Sequence, residues 1–147
     1  MRHRFVLCVL VVFLEGCVST PKLVRTMAKH GITDQNTEKI VATGSEGGWG
    51  ASTQVVLDAH FLVQDVWDAI YQSRPNDVWY ASGYRKLDFY RHGEGDAPCL
   101  TLLVNASDSC HIEGTTKRFR CPGINRGLDV LLKQEYESKQ AQASENS

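Results

Sequence analysis

Apolar side chains at helical spacing predict one central helix, at about 60–73. The apolar positions in this stretch are Leu62, Val63, Val66, Trp67 and Ile70, which form one stripe along a helix. Asp58 stands where an N-cap residue is expected, and Arg74-Pro75-Asn76 ends the pattern. The stripe predicts a helix that packs against a core, with Trp67 inside that core.

Alternation of apolar and polar residues predicts strands on both sides of this helix. The candidate strands are 38–43, 53–57, 78–81, 84–91 and 100–105, with short ones near Cys110 and at 119–121. Because successive residues of a strand point to opposite faces, Leu87 and Phe89 share one face of their strand. Leu100, Leu102 and Val104 likewise share one face of the strand that follows. These residues are the predicted core of a sheet.

A second amphipathic segment predicts a C-terminal helix at about 128–137. Its apolar side carries Leu128, Leu131, Leu132 and Tyr136. The polar residues 138–147 predict a disordered tail. The order of elements is typical of the α+β class. We therefore expect an antiparallel sheet of about four to five strands, with one central and one C-terminal helix packed on one face.

The N-terminus has the pattern of a secretory signal peptide. Cationic residues at 2–4 precede an apolar run at 5–14, and Gly16 stands directly before Cys17. The run is shorter than the roughly 20 apolar residues that a membrane span needs. A charged start, a short apolar stretch and a small residue at the cleavage point predict removal of residues 1–16.

The segment Leu14-Glu15-Gly16-Cys17 resembles the lipobox of bacterial lipoproteins, in which the cysteine is acylated and becomes the mature N-terminus. Glu15 departs from the family, which usually has a small residue there. An ordinary secretory signal cut nearby is the alternative. By the resemblance, Val18 after the cysteine favours the outer membrane over the inner one. The resemblance thus implies a palmitate-type anchor on Cys17 and a location on the outer membrane, facing the periplasm.

The rest of the chain is predicted to hold one domain. Residues 17–36 are assigned to a lipidated N-terminus and tether, and 37–137 to the α+β domain. The chain of 147 residues has a net charge of −1 and 22% charged residues, without the basic stripe that a nucleic-acid partner calls for. The sequence gives no indication of a cofactor. The predicted lipid anchor on Cys17 would hold the protein at a membrane, so the membrane is an expected partner.

The cysteines predict one disulfide bond. Once the signal is removed and Cys17 is acylated, Cys99, Cys110 and Cys121 remain. If the chain reverses at 114–116, Cys110 and Cys121 lie nearly opposite one another, with Cβ atoms about 4.5–5.5 Å apart. We predict a Cys110–Cys121 bond, with Cys99–Cys121 as the alternative. The cysteine left over is expected to be a buried apolar residue.

No set of residues in the sequence predicts catalysis or metal binding. The segment 107–111 contains serine, aspartate, cysteine and histidine, but neighbours on a strand point to opposite faces and do not form a nucleophile–base pair. Among His60, His92 and His111, no two stand at ligand spacing on one element. The chain is therefore predicted not to be an enzyme. A small hydrolase using His111 or His92 is the least favoured hypothesis.

The alternation at 84–90 predicts a binding surface. If Leu87 and Phe89 enter the core, the residues Tyr84, Lys86, Asp88 and Tyr90 face outward. Tyrosine is favoured at interfaces because its ring is apolar while its hydroxyl remains hydrated. The leading hypothesis is a non-catalytic lipoprotein that binds an envelope protein, as an accessory subunit or as an inhibitor or immunity-type protein. A cell-wall or surface glycan is the alternative ligand. The purely structural alternatives are cross-strand aromatic pairing on a solvated sheet face and cover of that face by the C-terminal helix.

Overall fold

The computed structural model describes residues 19–44, 53–77 and 83–145. These residues form three helices and one antiparallel sheet, which confirms the α+β class. The helices are α1 (Lys22–Lys29), α2 (His60–Tyr71) and α3 (Ile124–Glu145). The strands are β1 (Thr37–Thr43), β2 (Gln54–Leu57), β3 (Arg74–Pro75), β4 (Arg85–Arg91), β5 (Leu100–Val104), β6 (Ser109–Ile112) and β7 (Phe119–Arg120). The predicted signal peptide, Cys17 and the candidate strand at 78–81 lie outside the described residues.

The sheet has seven strands in the order β2-β1-β4-β5-β6-β7-β3, more than the predicted four to five. The observed strand that none of the candidate strands covers is β3, which pairs with β7 through Arg74 and Pro75. Both strands have only two residues, too few to show an alternating pattern. Pro75 suits an edge strand because proline has no N–H to donate to a further neighbour.

One face of the sheet forms the core together with the helices. Ile40 of β1 lies between Leu57 of β2 and Phe89 of β4, and all three side chains are buried. The predicted inward residues of β4 and β5 are also buried in this cluster, as is Trp67 of α2. The Trp67 ring meets Phe89 edge-on at 5.8 Å between centroids. Each of the three helices contributes buried side chains to this cluster, so the helices cover this face.

Helix α1 belongs to the packed domain rather than to a tether. Its side chains Leu23, Val24 and Met27 are buried in the core. The helix ends in a Schellman motif, because Gly31 N–H donates to the Ala28 carbonyl at 3.0 Å and Ile32 N–H to the Met27 carbonyl at 3.2 Å. The predicted tether at 17–36 therefore ends before α1. Leu23, Val24 and Met27 stand at helical spacing, but a stretch of eight residues is too short for that spacing to distinguish a packed helix from a tether in the sequence.

The other two helices differ from their predicted bounds. Helix α2 ends at Tyr71, before the predicted 73, and its N-cap is Ala59 rather than Asp58, without a capping side-chain bond. Helix α3 begins four residues before the predicted 128 and continues through Glu145. An ion pair between Lys133 and Glu137 lies within the predicted helix, and one between Lys139 and Glu135 joins it to the part of α3 that was predicted to be a tail. Such pairs at i,i+4 spacing stabilise a helix that has no apolar stripe.

A turn between β5 and β6 holds the start of α3. Asp108 has a positive φ of 61°, and its carboxylate accepts hydrogen bonds from the backbone N–H of Gly123 at 3.0 Å and of Asn125 at 3.3 Å. The Asn125 side chain in turn donates to the Asn105 carbonyl at 2.7 Å. Farther along, Arg85 is buried on the core side of β4 and pairs with Asp129 of α3 at 2.7 Å. These contacts fix α3 across the sheet.

Candidate functional site

The predicted binding residues lie together on the side of the sheet that no described helix covers. We call this surface the open sheet face and define it by Tyr84, Lys86, Asp88, Tyr90, Lys39, Thr101, His111 and Glu113. The first four are the predicted residues, on β4 and the residue before it, and all are partly or fully exposed. Inward Leu87 and Phe89 alternate with them and are buried. The predicted alternation of β4 is thus present in the structure.

Each predicted residue contacts a side chain from another part of the sheet: from β1, from β5, or from β6 and the residue after it. The Lys86 ammonium lies 3.3 Å from the Glu113 carboxylate, just after β6. On β5, the Thr101 hydroxyl donates to the Asp88 carboxylate at 2.5 Å. These two contacts tie β4 to its neighbours on one side. They place an acidic and a basic group at fixed positions in the middle of the sheet.

The two tyrosines also have cross-strand partners. Tyr84 meets the His111 ring edge-on, with 5.1 Å between centroids, and the Lys39 ammonium lies 4.9 Å from the centroid of the Tyr90 ring. Aromatic and cation–π pairs of this kind limit the rotamers of both partners. The open sheet face therefore presents tyrosines that are already held in place.

The surroundings shift the pKa of two groups on this face. Partial burial lowers the pKa of His111, and the Arg118 guanidinium lowers it further, while Glu113 acts in the opposite direction. Burial also raises the pKa of Tyr90, and the carboxylates of Asp88 and Asp96 add to that increase. His111 is consequently neutral at pH 7 and Tyr90 keeps its proton. The charged side chains that remain on the face are two lysines and two carboxylates, which balance.

The predicted disulfide partners lie side by side in the core. The Sγ atoms of Cys110 and Cys121 are 2.6 Å apart, and both side chains are free thiols in the structure. Cys110 is paired in register with Phe119, so Cys121 is its diagonal neighbour rather than its direct opposite. The hydrogen-bonding contact with Cys121, together with burial, raises the pKa of the Cys110 thiol well above its usual range. Cys99 is half-buried near Glu94 instead.

The histidines weighed as catalytic residues are dispersed. His111 lies on β6, His92 is exposed in the turn after β4, and His60 is exposed at the start of α2. In residues 19–44, 53–77 and 83–145, no group of three or more histidine, cysteine or acidic side chains stands in position to hold a metal ion. Over the same ranges, no helix combines the length and the apolar character that crossing a membrane requires.

Comparison with family models, with curated proteins and with solved structures finds no match to this chain.

Sequence reasoning identified one strand of the open sheet face and missed its partners. Lys39, Thr101, His111 and Glu113 come from three other parts of the chain, and only the register of the sheet brings them beside β4. The alternation in the predicted strand at 100–105 could have identified Thr101 as a polar residue that faces outward. No local pattern indicates which residue of one strand stands opposite which residue of the next.

Proposed function

We propose that this chain is a non-catalytic binding module of the cell envelope that holds another protein against its open sheet face. The observation that carries this proposal is the placement of Tyr84 and Tyr90 on a sheet surface that no described helix covers. Tyrosine is among the residues that protein interfaces favour, whereas the lysines and carboxylates around it are typical of the polar rim of an interface. Single exposed apolar residues are ordinary on protein surfaces. Two tyrosines on one face of a sheet, each held by a contacting side chain, are less common.

The cross-strand contacts support the proposal because they reduce the cost of binding. Side chains that are already ordered lose less rotamer entropy when a partner covers them, at about 0.5–1.5 kcal/mol per immobilised side chain. Tyr84 is held against His111 and Tyr90 against Lys39. The balanced charges of the face favour a partner of mixed polarity over a strongly charged polymer.

The envelope location belongs to the same proposal. It rests on the signal-like residues 1–16 and on the resemblance of Leu14-Glu15-Gly16-Cys17 to a lipobox. In this proposal Cys17 carries the lipid, and the domain faces the periplasm from the outer membrane. Acyl chains contribute about 0.8 kcal/mol per buried methylene, so a multiply acylated cysteine is a lasting anchor. An accessory subunit and an inhibitor or immunity-type protein both fit such a module.

The test is capture of a partner from solubilised envelope by the wild-type chain and by Tyr84→Ala/Tyr90→Ala. We expect one stoichiometric protein on the wild-type bait and its loss from the double variant, because truncation of buried interface tyrosines costs about 2 kcal/mol or more each. The matched control is Tyr71→Ala, which removes an exposed tyrosine from the helical side. Undiminished capture by a folded double variant contradicts the site assignment.

Glycan binding is the second candidate for the same surface. Sugar rings stack on open aromatic faces, and Tyr84 and Tyr90 supply two rings on one side of the sheet. The Lys39 ammonium beside the Tyr90 ring restricts that stacking and makes the protein partner the better fit. Sedimentation with purified peptidoglycan separates the two: a glycan-binding module pellets with the polymer, and a protein-binding module stays in the supernatant.

A further inference from the structure

A groove lies on the helical side of the molecule, between α2 and α3. Its volume is about 520 Å³, within the range of about 300–1,000 Å³ that ligand sites occupy. The apolar residues of the two helices that line it are Leu62, Val66, Ala69, Ile124, Leu128 and Leu131. Because the helices separate it from the sheet surface, this groove is distinct from the open sheet face.

Two glycines, which have no side chains, leave the α3 wall of the groove open. Gly123 and Gly127 line it, one helical turn apart. A Cβ atom added at Gly127 meets no heavy atom within 4 Å, so a larger residue there enters free space. The position needs no positive φ, in contrast to Gly123 at +82°. Gly127 is therefore a point at which the groove can be filled without disturbing the fold.

Two large apolar side chains extend the walls of the groove outward. Phe61 is 65% exposed and lies one turn before Asp65 on the same side of α2. Val130 is 55% exposed and lies one turn after Arg126 on the same side of α3. Together with Leu62 and Leu131, which are half-buried in the groove, they add apolar surface beside it on each helix. Contiguous apolar strips with polar rims are typical of interaction sites.

The rim of the groove is acidic on its α2 side. Helix α2 contains Asp65 and Asp68 and no lysine or arginine, and both aspartates are exposed at the groove. Neither forms an ion pair with any residue in the described part of the chain; Asp68 accepts only a hydrogen bond from Gln64, at 2.9 Å. Arg126 on the opposite wall supplies one positive charge, so the rim is negative on balance. A ligand with basic groups complements it.

We propose that the groove between α2 and α3 binds an amphipathic helix of a partner protein, with apolar anchors in the groove and basic residues along the α2 rim. Helix α2 has 12 residues and is about 18 Å long, which matches an occupant of three turns with anchors at i, i+3 or i+4, and i+7. This binding surface is additional to the open sheet face. A module with both surfaces contacts two partners at once.

The test is a titration of the full-length chain with labelled helical peptides by fluorescence anisotropy. The peptides share leucines at i, i+3, i+4 and i+7 and differ only in whether lysine or glutamate fills the other positions. We expect the lysine peptide to bind about tenfold or more tightly than the glutamate peptide. Equal binding of the two, or no binding at millimolar peptide, overturns the proposal.

Two variants locate the site. Gly127→Leu should weaken the lysine peptide by about tenfold or more, because its side chain occupies the groove. Asp65→Lys/Asp68→Lys should reverse the charge preference, and it changes only exposed positions. Glu38→Lys, an exposed charge reversal on β1, is the matched control and should leave the preference intact. Unweakened binding by Gly127→Leu places the peptide elsewhere and overturns the assignment.

Sedimentation equilibrium of the same chain tests whether a second copy of the chain, and not a partner helix, occupies the groove. A dimer that Gly127→Leu abolishes identifies a second copy of this chain as the occupant and overturns the partner-helix proposal. Capture of the envelope partner through the open sheet face should persist in Gly127→Leu. Failure of the groove proposal and failure of the proposed function are therefore observed separately.

Discussion

At the scale of single residues, Asp108 joins a turn to a helix. Its positive φ is uncommon for a side chain other than glycine, although aspartate tolerates it better than most. The same conformation directs its carboxylate to the N–H groups of Gly123 and Asn125 at the start of α3. Asp108 therefore acts as an N-cap although it lies far from α3 in sequence, and no local capping pattern predicts it.

Replacement of Asp108 separates its role as a helix cap from its tolerance of a positive φ. Asp108→Ala loses the cap and keeps the unfavourable φ, so we expect the free energy of unfolding to fall by about 1–2 kcal/mol in urea denaturation. Asp108→Asn keeps an acceptor and tolerates this φ, and should lose less. Asp108→Gly removes the conformational strain without restoring the cap, and should lie between them. Equal stability of the alanine and wild-type chains would show that the cap contributes nothing.

His111 links stability to pH. Its folded-state pKa lies below the ordinary 6.5, so between that lowered pKa and 6.5 the unfolded chain binds more protons than the folded chain. Stability therefore falls as pH drops through this window. We expect urea midpoints of the wild-type chain to decrease more between pH 7.5 and 5.5 than those of His111→Gln. The groups that face His111 are Arg118 and Glu113, and parallel decreases in both chains would exclude His111 as the source.

At the scale of elements, length and periodicity decided what the sequence predicted. The strands β4 and β5 and the helix α2 show clear periods, and the structure confirms their inward residues and the burial of Trp67. Helix α1 and strand β3 have too few residues for a period to appear. The extension of α3 beyond 137 is polar and exposed, and for that reason an apolar pattern did not show it.

The adjacent strands β6 and β7 hold the Cys110 and Cys121 thiols close enough for oxidation to join them in a disulfide bond. Exchange of the Cys110 and Cys121 thiols with a small-molecule disulfide forms one Cys110–Cys121 bond and releases two small thiols. The sequence separation is 11, and a bond across it constrains the unfolded chain by about 2–3 kcal/mol. We expect non-reducing peptide mapping of chain folded with oxidised glutathione to recover this link, and a reductant to lower the melting temperature.

Cys99 supplies the control for that pairing. Cys99→Ala should keep the link and the effect of the reductant, whereas Cys110→Ala/Cys121→Ala should lose both. In reduced, folded chain the raised pKa and burial of Cys110 slow its alkylation, so iodoacetamide should label Cys99 first. Recovery of a Cys99–Cys121 peptide would contradict the pairing and favour the alternative from the sequence.

At the scale of the whole molecule, the two-layer arrangement determines which surfaces are available. One face of the sheet is covered by helices, and the other carries the open sheet face. The sequence predicts this division through the alternation at 84–91, and it predicts four residues of the site. It does not predict the four partners, nor the groove between α2 and α3, because both arise from the packing of elements distant in sequence.

The position of α1 limits how far the domain can reach. Because α1 is part of the core from Lys22, the lipid that we propose on Cys17 would be joined to the domain by a segment of at most about 18 Å when fully extended. That span is less than the thickness of a bilayer's hydrocarbon core, which is about 30 Å. Under the proposed envelope location, an anchored chain would therefore not reach a distant target in the periplasm. It would meet only proteins that pass within a short distance of the membrane surface. Its effective concentration toward those proteins would therefore depend on the membrane area that they share.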